Sequence, residues 1–404
     1  MHPNPPGGPS WERLESALHY LDYAATSAVR PASVAEAVRR CLAEVGASPG
    51  RGGHSASLEA GRIALRARRS VARVLGFPGD PGRLVFMLNA THALNTALYG
   101  TLRSGDAVVF TAYDHNSVLR PVYDLVRSRG VDARMVSGAP DGSLDLEEVS
   151  RLLEGARVLV VNAASNVLGT RLPLAQLSAQ ARSHGALTLV DAAQSAGHLA
   201  GSPAEDGADV VAFTGHKGLL GPQGIGGLWI REGVDVVPVL RGGTGGNSVL
   251  RDMPDALPDR LEAGTQNTPG MAGLLAGCEH LLQEGVEEIH GREMHLKGLL
   301  RDGMEGIPGV TVHSPPAPDG VGIVTITARG WDPGALSHRL EREWGVCARV
   351  GLHCAPEVHR ILGTQESGAL RFSLGWASSE ADVTAAVEGV DALVRPRMVS
   401  LGGS

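Results

Sequence analysis

This chain of 404 residues has few cysteines, no long apolar run, no excess of positive charge and no internal repeat. Its four cysteines, Cys41, Cys278, Cys347 and Cys354, form no CxxC pair, so no metal site is expected. Disulfides are not expected in a cytosolic setting either. No apolar stretch approaches the roughly 20 residues that a membrane helix requires. A net charge of -7 and a pI near 6.1 argue against nucleic acid as a partner and give no reason to invoke a membrane. The segment Met1 to Ser10 is rich in proline and glycine and lacks the basic-then-apolar order of a secretory signal, so residues 1–18 read as a disordered lead-in to a cytoplasmic protein.

What remains is an ordinary globular composition, 43% apolar and 20% charged, on a chain long enough for two domains. Strand-like runs at Arg83 to Met87, Ala107 to Phe110, Ala133 to Val136, Val158 to Val161, Leu187 to Val190 and Val210 to Phe213 alternate with helical periodicity, as at Leu146 to Leu153 and Leu174 to His184. This repetition predicts an α/β fold with a mostly parallel sheet covered on both faces. A helix from Pro31 to about Val45 and an arginine-rich helix from Leu58 to Leu75, its arginines forming a solvated face, precede that region. A long helical region reaches about Met304, then strands at Val310 to Val312, Ile323 to Ile326 and Leu370 to Leu374 and helices from Asp332 and Glu380 suit a smaller domain. The expected division is 19–285 for the large domain and 286–404 for a small C-terminal α/β domain, with the N-terminal segment packing against the latter.

Sheets of this kind place ligands at the carboxyl ends of their strands. Thr91 with His92, His115, Asn166, Asp191 with Gln194, and His216 with Lys217 all follow strand-like runs. Lys217 is the least ordinary of them. An apolar run, Val210 to Phe213, delivers the chain to Thr214-Gly215-His216-Lys217, and a glycine-rich stretch follows. Lysine in a glycine-rich turn is ordinarily a solvated residue. At the end of a buried strand its ammonium is costly to desolvate, whereas an amine of lowered pKa suits a Schiff base. Asp191 ends the preceding apolar strand. A strand-end aspartate paired with such a lysine is what pyridoxal phosphate needs, the carboxylate keeping the pyridine nitrogen protonated.

Six ordered stretches resemble the class V, fold-type I pyridoxal-phosphate-dependent aminotransferase superfamily, in its Suf-type cysteine desulfurase and selenocysteine lyase-like branch. They are Leu21 to Thr26, Ser165 to Thr170, Asp191 to Gln194, Thr214 to Lys217, Glu262 to Thr265 and Arg349 to Cys354. The resemblance runs from Tyr20 to about Val394. It implies that Lys217 holds the cofactor and moves protons, that Asp191 faces the pyridine nitrogen and that His115 stacks on the ring. Asn166 and Gln194 fall at contacts with substrate carboxylate and phenolic oxygen. Ala90, Thr91 and His92 match the phosphate-binding helix N-terminus, where amides and dipole favour an anion. Thr214 and His216 match side chains on the same phosphate, and Thr265 a residue given to the partner subunit of a homodimer. Arg371 falls where a planar guanidinium grips the substrate carboxylate. Arg349 belongs beside it, and His54 near the entrance.

Two departures stand out. Asn89-Ala90-Thr91-His92 replaces the usual Gly-Thr-Thr-Glu, removing a hydroxyl at Ala90, and the loop Lys217 to Pro222 is one residue longer than the common form.

The implied reaction is removal of sulfur from L-cysteine to leave L-alanine, with Cys354 accepting the sulfur as a persulfide and a further acceptor protein downstream. Cys354 follows Arg349 and His353, whose positive charge would favour a thiolate. The other reading of Cys354 is a structural thiol, and Cys41, Cys278 and Cys347 read as core. Selenocysteine lyase, cysteine or cystine C–S lyase, aminotransferase and epimerase share most of these residues. A non-catalytic sulfur-carrier binding protein on the same fold is the alternative outside enzymology, opposed by Lys217, Asp191 and Arg371 together.

Overall fold

The computed structural model describes residues 18–50, 52–245, 249, 251–316 and 320–401. Residues 1–17 of the expected lead-in, Arg51 and Gly246 lie outside them, as do the side chains beyond Arg395.

The strands in chain order are β1 (His19–Tyr20), β2 (Leu84–Met87), β3 (Ala107–Thr111), β4 (Asp132–Val136), β5 (Ala156–Asn162), β6 (Leu187–Asp191), β7 (Val210–Thr214), β8 (Gly226–Ile230), β9 (Val310–Val312), β10 (Ile323–Ala328), β11 (Val346–Cys347), β12 (Arg349–Gly351) and β13 (Ala369–Ser373). The central sheet has the order β2-β8-β7-β6-β5-β3-β4. β7, β6, β5, β3 and β4 run parallel to one another, and β8 runs antiparallel to both β7 and β2. β8 lies in the stretch that reads as glycine-rich loop in the sequence. There Gly226 and Gly227 are glycines because nothing larger fits: a Cβ on Gly226 would stand 2.6 Å from the Phe213 carbonyl oxygen and 2.8 Å from Asn89 Cα.

Side chains two residues apart share a face of a strand, and the central sheet sorts its apolar residues accordingly. Phe86, Val109, Leu159, Val161, Val190, Val211 and Phe213 join one core, and Val85, Val108, Phe110, Val158, Val160, Leu189 and Ala212 the other. Burial on both faces is why these strands read as continuous apolar runs. The edge strand β4 is the most exposed and is charged, with Asp132 paired to Arg134.

The helices are α1 (Ala32–Arg40), α2 (Ser55–Val74), α3 (Ala90–Thr101), α4 (Asn116–Arg129), α5 (Leu146–Leu152), α6 (Leu174–Ser183), α7 (Thr268–Glu284), α8 (Val286–Glu305), α9 (Pro333–Trp344), α10 (Pro356–Ile361) and α11 (Glu380–Leu401). α2 begins at Ser55 with His54 as its N-cap, earlier than the Leu58 start expected. The long helical region to Met304 is two helices, broken at Gly285, whose φ of 90° suits a residue without a Cβ. The solvated arginine face of α2 needs one correction. Arg68 is buried and forks onto both Glu262 carboxylate oxygens at 2.7 and 2.6 Å.

A second sheet, β12-β13-β10-β9, is antiparallel and carries its own core from α8, α9, α11 and the strands, with Leu21 added from the N-terminal segment. That segment reaches it through β1, which pairs with β11, and through a bridge from Asp22 to Ser373. Cys41 and Cys278 are core thiols as expected. Cys347 is only half-buried, because its short strand pairs at the edge of the small domain with β1.

Candidate active site

The ends of β2, β3, β5, β6 and β7 meet at an open cleft. Its wall includes Ala90, Thr91, His115, Asn166, Asp191, Gln194, Thr214, His216 and Lys217, nine of the residues singled out from the sequence. Parallel strands explain the convergence: each turns into its helix at the same sheet edge.

Lys217 follows β7, and its amine makes no hydrogen bond or ion pair among the described residues. Burial brings its pKa down to about 8, opposed by the Asp191 carboxylate and aided by the Arg371 and Arg349 guanidiniums. The extra residue of its loop is absorbed by Leu220, buried in the left-handed region at φ 58°, whose N–H donates to the Lys217 carbonyl. Gly218 packs where a Cβ would meet the Ala196 carbonyl oxygen at 2.4 Å.

Asp191 ends β6 opposite Asn162. It is buried and accepts one bond, from the Ala193 N–H at 2.9 Å. Burial raises its pKa, against that bond and Lys217. A carboxylate left with so little compensation favours a proton-bearing partner in the cleft.

His115 caps α4. Its Nδ1 accepts from the Ser117 N–H at 3.0 Å, so the ring proton sits on Nε2. Burial, then Lys217 and Arg371, push its pKa down to about 4, leaving a neutral ring. Just before it, the Asp114 carboxyl is fully buried and accepts from the Thr111 N–H at 2.6 Å.

At the other end, α3 points its N-terminus into the cleft. The N-cap Asn89 takes the His92 N–H at 2.9 Å, so the amides that remain for an anion are those of Ala90 and Thr91, and His92 supplies none. The His92 side chain stands outside the wall. Thr214 Oγ1 is buried without a partner among the described residues, as are Asn166 Oδ1 and Asn162 Oδ1. His216 is neutral, its pKa brought to about 4 by burial and Lys217, with Nδ1 3.1 Å from Thr26 Oγ1. Gln194 donates to the Ala24 carbonyl at 3.1 Å.

These groups fit pyridoxal phosphate. Two free helix amides and an orphaned hydroxyl suit a phosphate, an under-compensated carboxylate suits the ring nitrogen, and a lone depressed-pKa amine suits the carbonyl carbon.

Arg371, Arg349, Cys354, Thr265 and His54 are not on the cleft wall. Arg371, on β13, lies behind it and is almost wholly buried. It donates from Nη2 to Asp22 Oδ1 at 2.8 Å and from Nη1 to the Asn166 carbonyl at 3.0 Å, and its Nε has no partner among the described residues. Arg349 faces the same Asp22 at 3.9 Å. Cys354 is exposed, on a turn docked against the wall: its carbonyl accepts from the Asn116 N–H at 2.7 Å, and the His353 carbonyl from Asn166 Nδ2 at 2.6 Å. His353 and Cys354 are both left-handed, at φ 50° and 57°, a conformation that costs non-glycine residues roughly 1–3 kcal/mol each. Thr265 and His54 are exposed.

Asp22, Asn162 and Ser117 escaped the reading of the sequence. Asp22 had a signal, a charge inside the apolar run Tyr20 to Tyr23. Asn162 follows the strand Val158 to Val161 as the other strand-end residues follow theirs.

The class-V aminotransferase family model matches residues 19–386. A probable cysteine desulfurase of Methanothermobacter thermautotrophicus is 33% identical over 371 residues, 90% of this chain and 92% of that protein. Among solved structures, a cysteine desulfurase from Thermococcus onnurineus in its apo form superposes with a TM-score of 0.86 at 31% identity, covering 93% of this chain and 94% of that one. The cysteine desulfurase CsdA of Escherichia coli gives 0.85 at 27% identity, covering 96% of each.

Proposed function

The chain belongs to the class-V aminotransferase family, and from that premise we propose that it is a pyridoxal-phosphate-dependent cysteine desulfurase, forming L-alanine from L-cysteine and a persulfide on Cys354. Pyridoxal phosphate, when bound, supplies an electron sink that acidifies the substrate's α-proton and activates its β-substituent.

The chain's own residues do the rest. Lys217 holds the cofactor's carbonyl carbon and, once substrate replaces it, takes the α-proton on Nζ; a pKa near 8 leaves a useful share of neutral amine at neutral pH. Asp191 keeps the ring nitrogen protonated. The amides of Ala90 and Thr91, the Thr214 hydroxyl and His216 hold the phosphate. Thr214 Oγ1 supplies a hydroxyl where Ala90 has none. His115, with Nδ1 occupied, lays a neutral ring against the cofactor and offers Nε2–H. Gln194 stands at the phenolic oxygen. Arg371 and Arg349 draw the substrate carboxylate, and Asp22 orients the Arg371 fork.

In the sulfur step the substrate's C–S bond breaks and a bond forms between its sulfur and Cys354 Sγ. The β-carbon takes up a proton, and L-cysteine plus the enzyme thiol become L-alanine plus the enzyme persulfide.

The observation that carries this reaction over others in the family is the docking of the Cys354 turn on Asn116 and Asn166, which tethers a thiol beside the residue after His115. Relatives and structural neighbours named cysteine desulfurase support it. The exposed Thr265 suits a residue given to the partner's site in a homodimer. Four cysteines without a disulfide suit the cytoplasm, and the exposed Cys354 suits delivery of sulfur to an acceptor protein.

The test is alanine formation by cofactor-loaded enzyme from cysteine and from selenocysteine. Cys354→Ala is expected to lose cysteine turnover by orders of magnitude while keeping the cofactor. Wild-type turnover of cysteine by that variant sinks the persulfide step, and activity confined to selenocysteine makes the enzyme a selenocysteine lyase.

A further inference from the structure

Resting on the reading that Cys354 accepts sulfur, we propose that His359 and Thr364 are positioning residues for its thiol, acting through a one-way hydrogen-bond chain that ends on the backbone of the Cys354 turn. The proton on each member follows from the next. The Arg349 carbonyl oxygen can only accept, and His353 Nε2 stands 3.2 Å from it, so Nε2 carries the hydrogen. Burial, with Arg371 adding to it, keeps the His353 ring neutral, its pKa pushed down to about 3, so its Nδ1 is a lone pair. That lone pair faces His359 Nε2 at 3.2 Å, which must therefore donate. His359 is fully buried and neutral as well, its pKa brought to about 4 by burial, so its Nδ1 accepts in turn from Thr364 Oγ1 at 2.8 Å. The chain runs Thr364 to His359 to His353 to the Arg349 carbonyl, and the two rings stack with centroids 5.3 Å apart at 30°.

The turn needs such support. His353 and Cys354 hold successive left-handed conformations without being glycine, which persists only when surroundings over-determine it. Asn166 and Asn116 fix the two carbonyls. The His353 ring closes the turn back onto Arg349, and His359 pins that ring to α10. Arg349 is the register partner of Arg371 across β12 and β13, so the same chain ties the thiol's turn to the strand that carries the buried guanidinium. Neither His359, Thr364 nor His353 lines the cleft, so their loss reaches the reaction through the turn alone.

Nitrogen-15 histidine spectra of the loaded enzyme at pH 7.5 test the proton assignment without any variant. Both His353 and His359 are expected as Nε2–H tautomers, and an Nδ1–H tautomer at either one overturns the chain. In kinetics, Thr364→Val is expected to lower kcat about ten- to a hundred-fold, the scale of a misplaced reacting group. KM for cysteine and the cofactor's absorbance stay unchanged, and Thr364→Ser restores kcat. Unchanged kcat in Thr364→Val, with Cys354→Ala inactive, overturns the positioning role. If Cys354→Ala is itself fully active, the sulfur-transfer reading has failed, and the alkylation rate of Cys354 by iodoacetamide decides instead. A changed rate in Thr364→Val but not Thr364→Ser sustains the chain, and equal rates in all three proteins overturn it.

Discussion

The role proposed for Lys217 rests on what surrounds its amine, and composition makes it unusually easy to check. The chain has two lysines, Lys217 and Lys297. Lys297 is fully enclosed in α8, its amine without a partner among the described residues, and lies outside the cleft. Borohydride reduction of the loaded enzyme is therefore expected to fix the cofactor on the peptide containing residue 217 and no other. Lys217→Ala is expected to lose both this adduct and the band at ~420 nm, which belongs to the protonated Schiff base of the cofactor. An adduct on Lys297, or a retained band in the variant, contradicts the assignment. At this scale much was legible beforehand. Lys217, Asp191, His115, Asn166 and Thr214 stand where strand-end logic puts them. Arg371 was legible as a residue and not as an environment, since only folding brings Asp22, 349 positions away, to within 2.8 Å of it.

Among the elements, α2 and the loop before α7 are joined by a buried ion pair. Arg68 and Glu262 meet at 2.6 Å with both side chains nearly excluded from solvent. Glu262 also accepts the Phe86 N–H at 2.6 Å, so one carboxylate clasps α2 and β2 to the stretch leading to Thr265. Removing Glu262 leaves a buried guanidinium without its counter-charge, holding only the Leu84 carbonyl and the Phe86 ring, so Glu262→Ala is expected to cost about 3–5 kcal/mol of unfolding free energy. Denaturant unfolding measures it, and a loss under about 1 kcal/mol, the scale of a surface pair, contradicts the clasp. The strand runs were readable to within one or two residues because burial on both faces leaves continuous apolar sequence. β8 was hidden because its opening glycines answer to the close approach of Asn89 and Phe213, which no local pattern reports.

For the molecule as a whole, we propose a domain boundary at Gly285, where the helical region breaks and the second core begins. The two bodies still share surfaces: Ile289, Ala355 and Val358 belong to the large core although they follow that boundary. Burial also gives the whole chain a pH response. His115, His216, His353 and His359 are held neutral, with pKa values near 4, 4, 3 and 4, against about 6.5 in an unfolded chain. Between those values the unfolded state binds more protons, so their contribution is present above pH 6.5 and lost as pH falls toward 4. Asp114 acts in reverse: burial raises its pKa to about 7, so its contribution is greatest in acid and lost as pH rises through 7. Asp191, raised by burial, and His198, raised against its burial by Glu293, act the same way as Asp114. The four histidines, joined by His92 and His313, which burial also lowers, outweigh these three. The unfolding midpoint of cofactor-free enzyme is expected to fall between pH 6.5 and 4.5, and to fall more steeply in Asp114→Asn. A midpoint that rises on acidification contradicts this balance.

The sequence by itself determined the alternation of strands and helices, the sheet edge where the polar residues gather, and the amine and carboxylate there. Those are properties of period, burial and chain order, and they are written locally. Tertiary structure alone decided which groups are held and which are free: the His92 amide spent on its own cap, the Arg371 fork shared with Asp22, and the Cys354 turn pinned through His353, His359 and Thr364. Each depends on distances between elements far apart in the chain, and on burial that leaves a ring neutral or a hydroxyl without a partner.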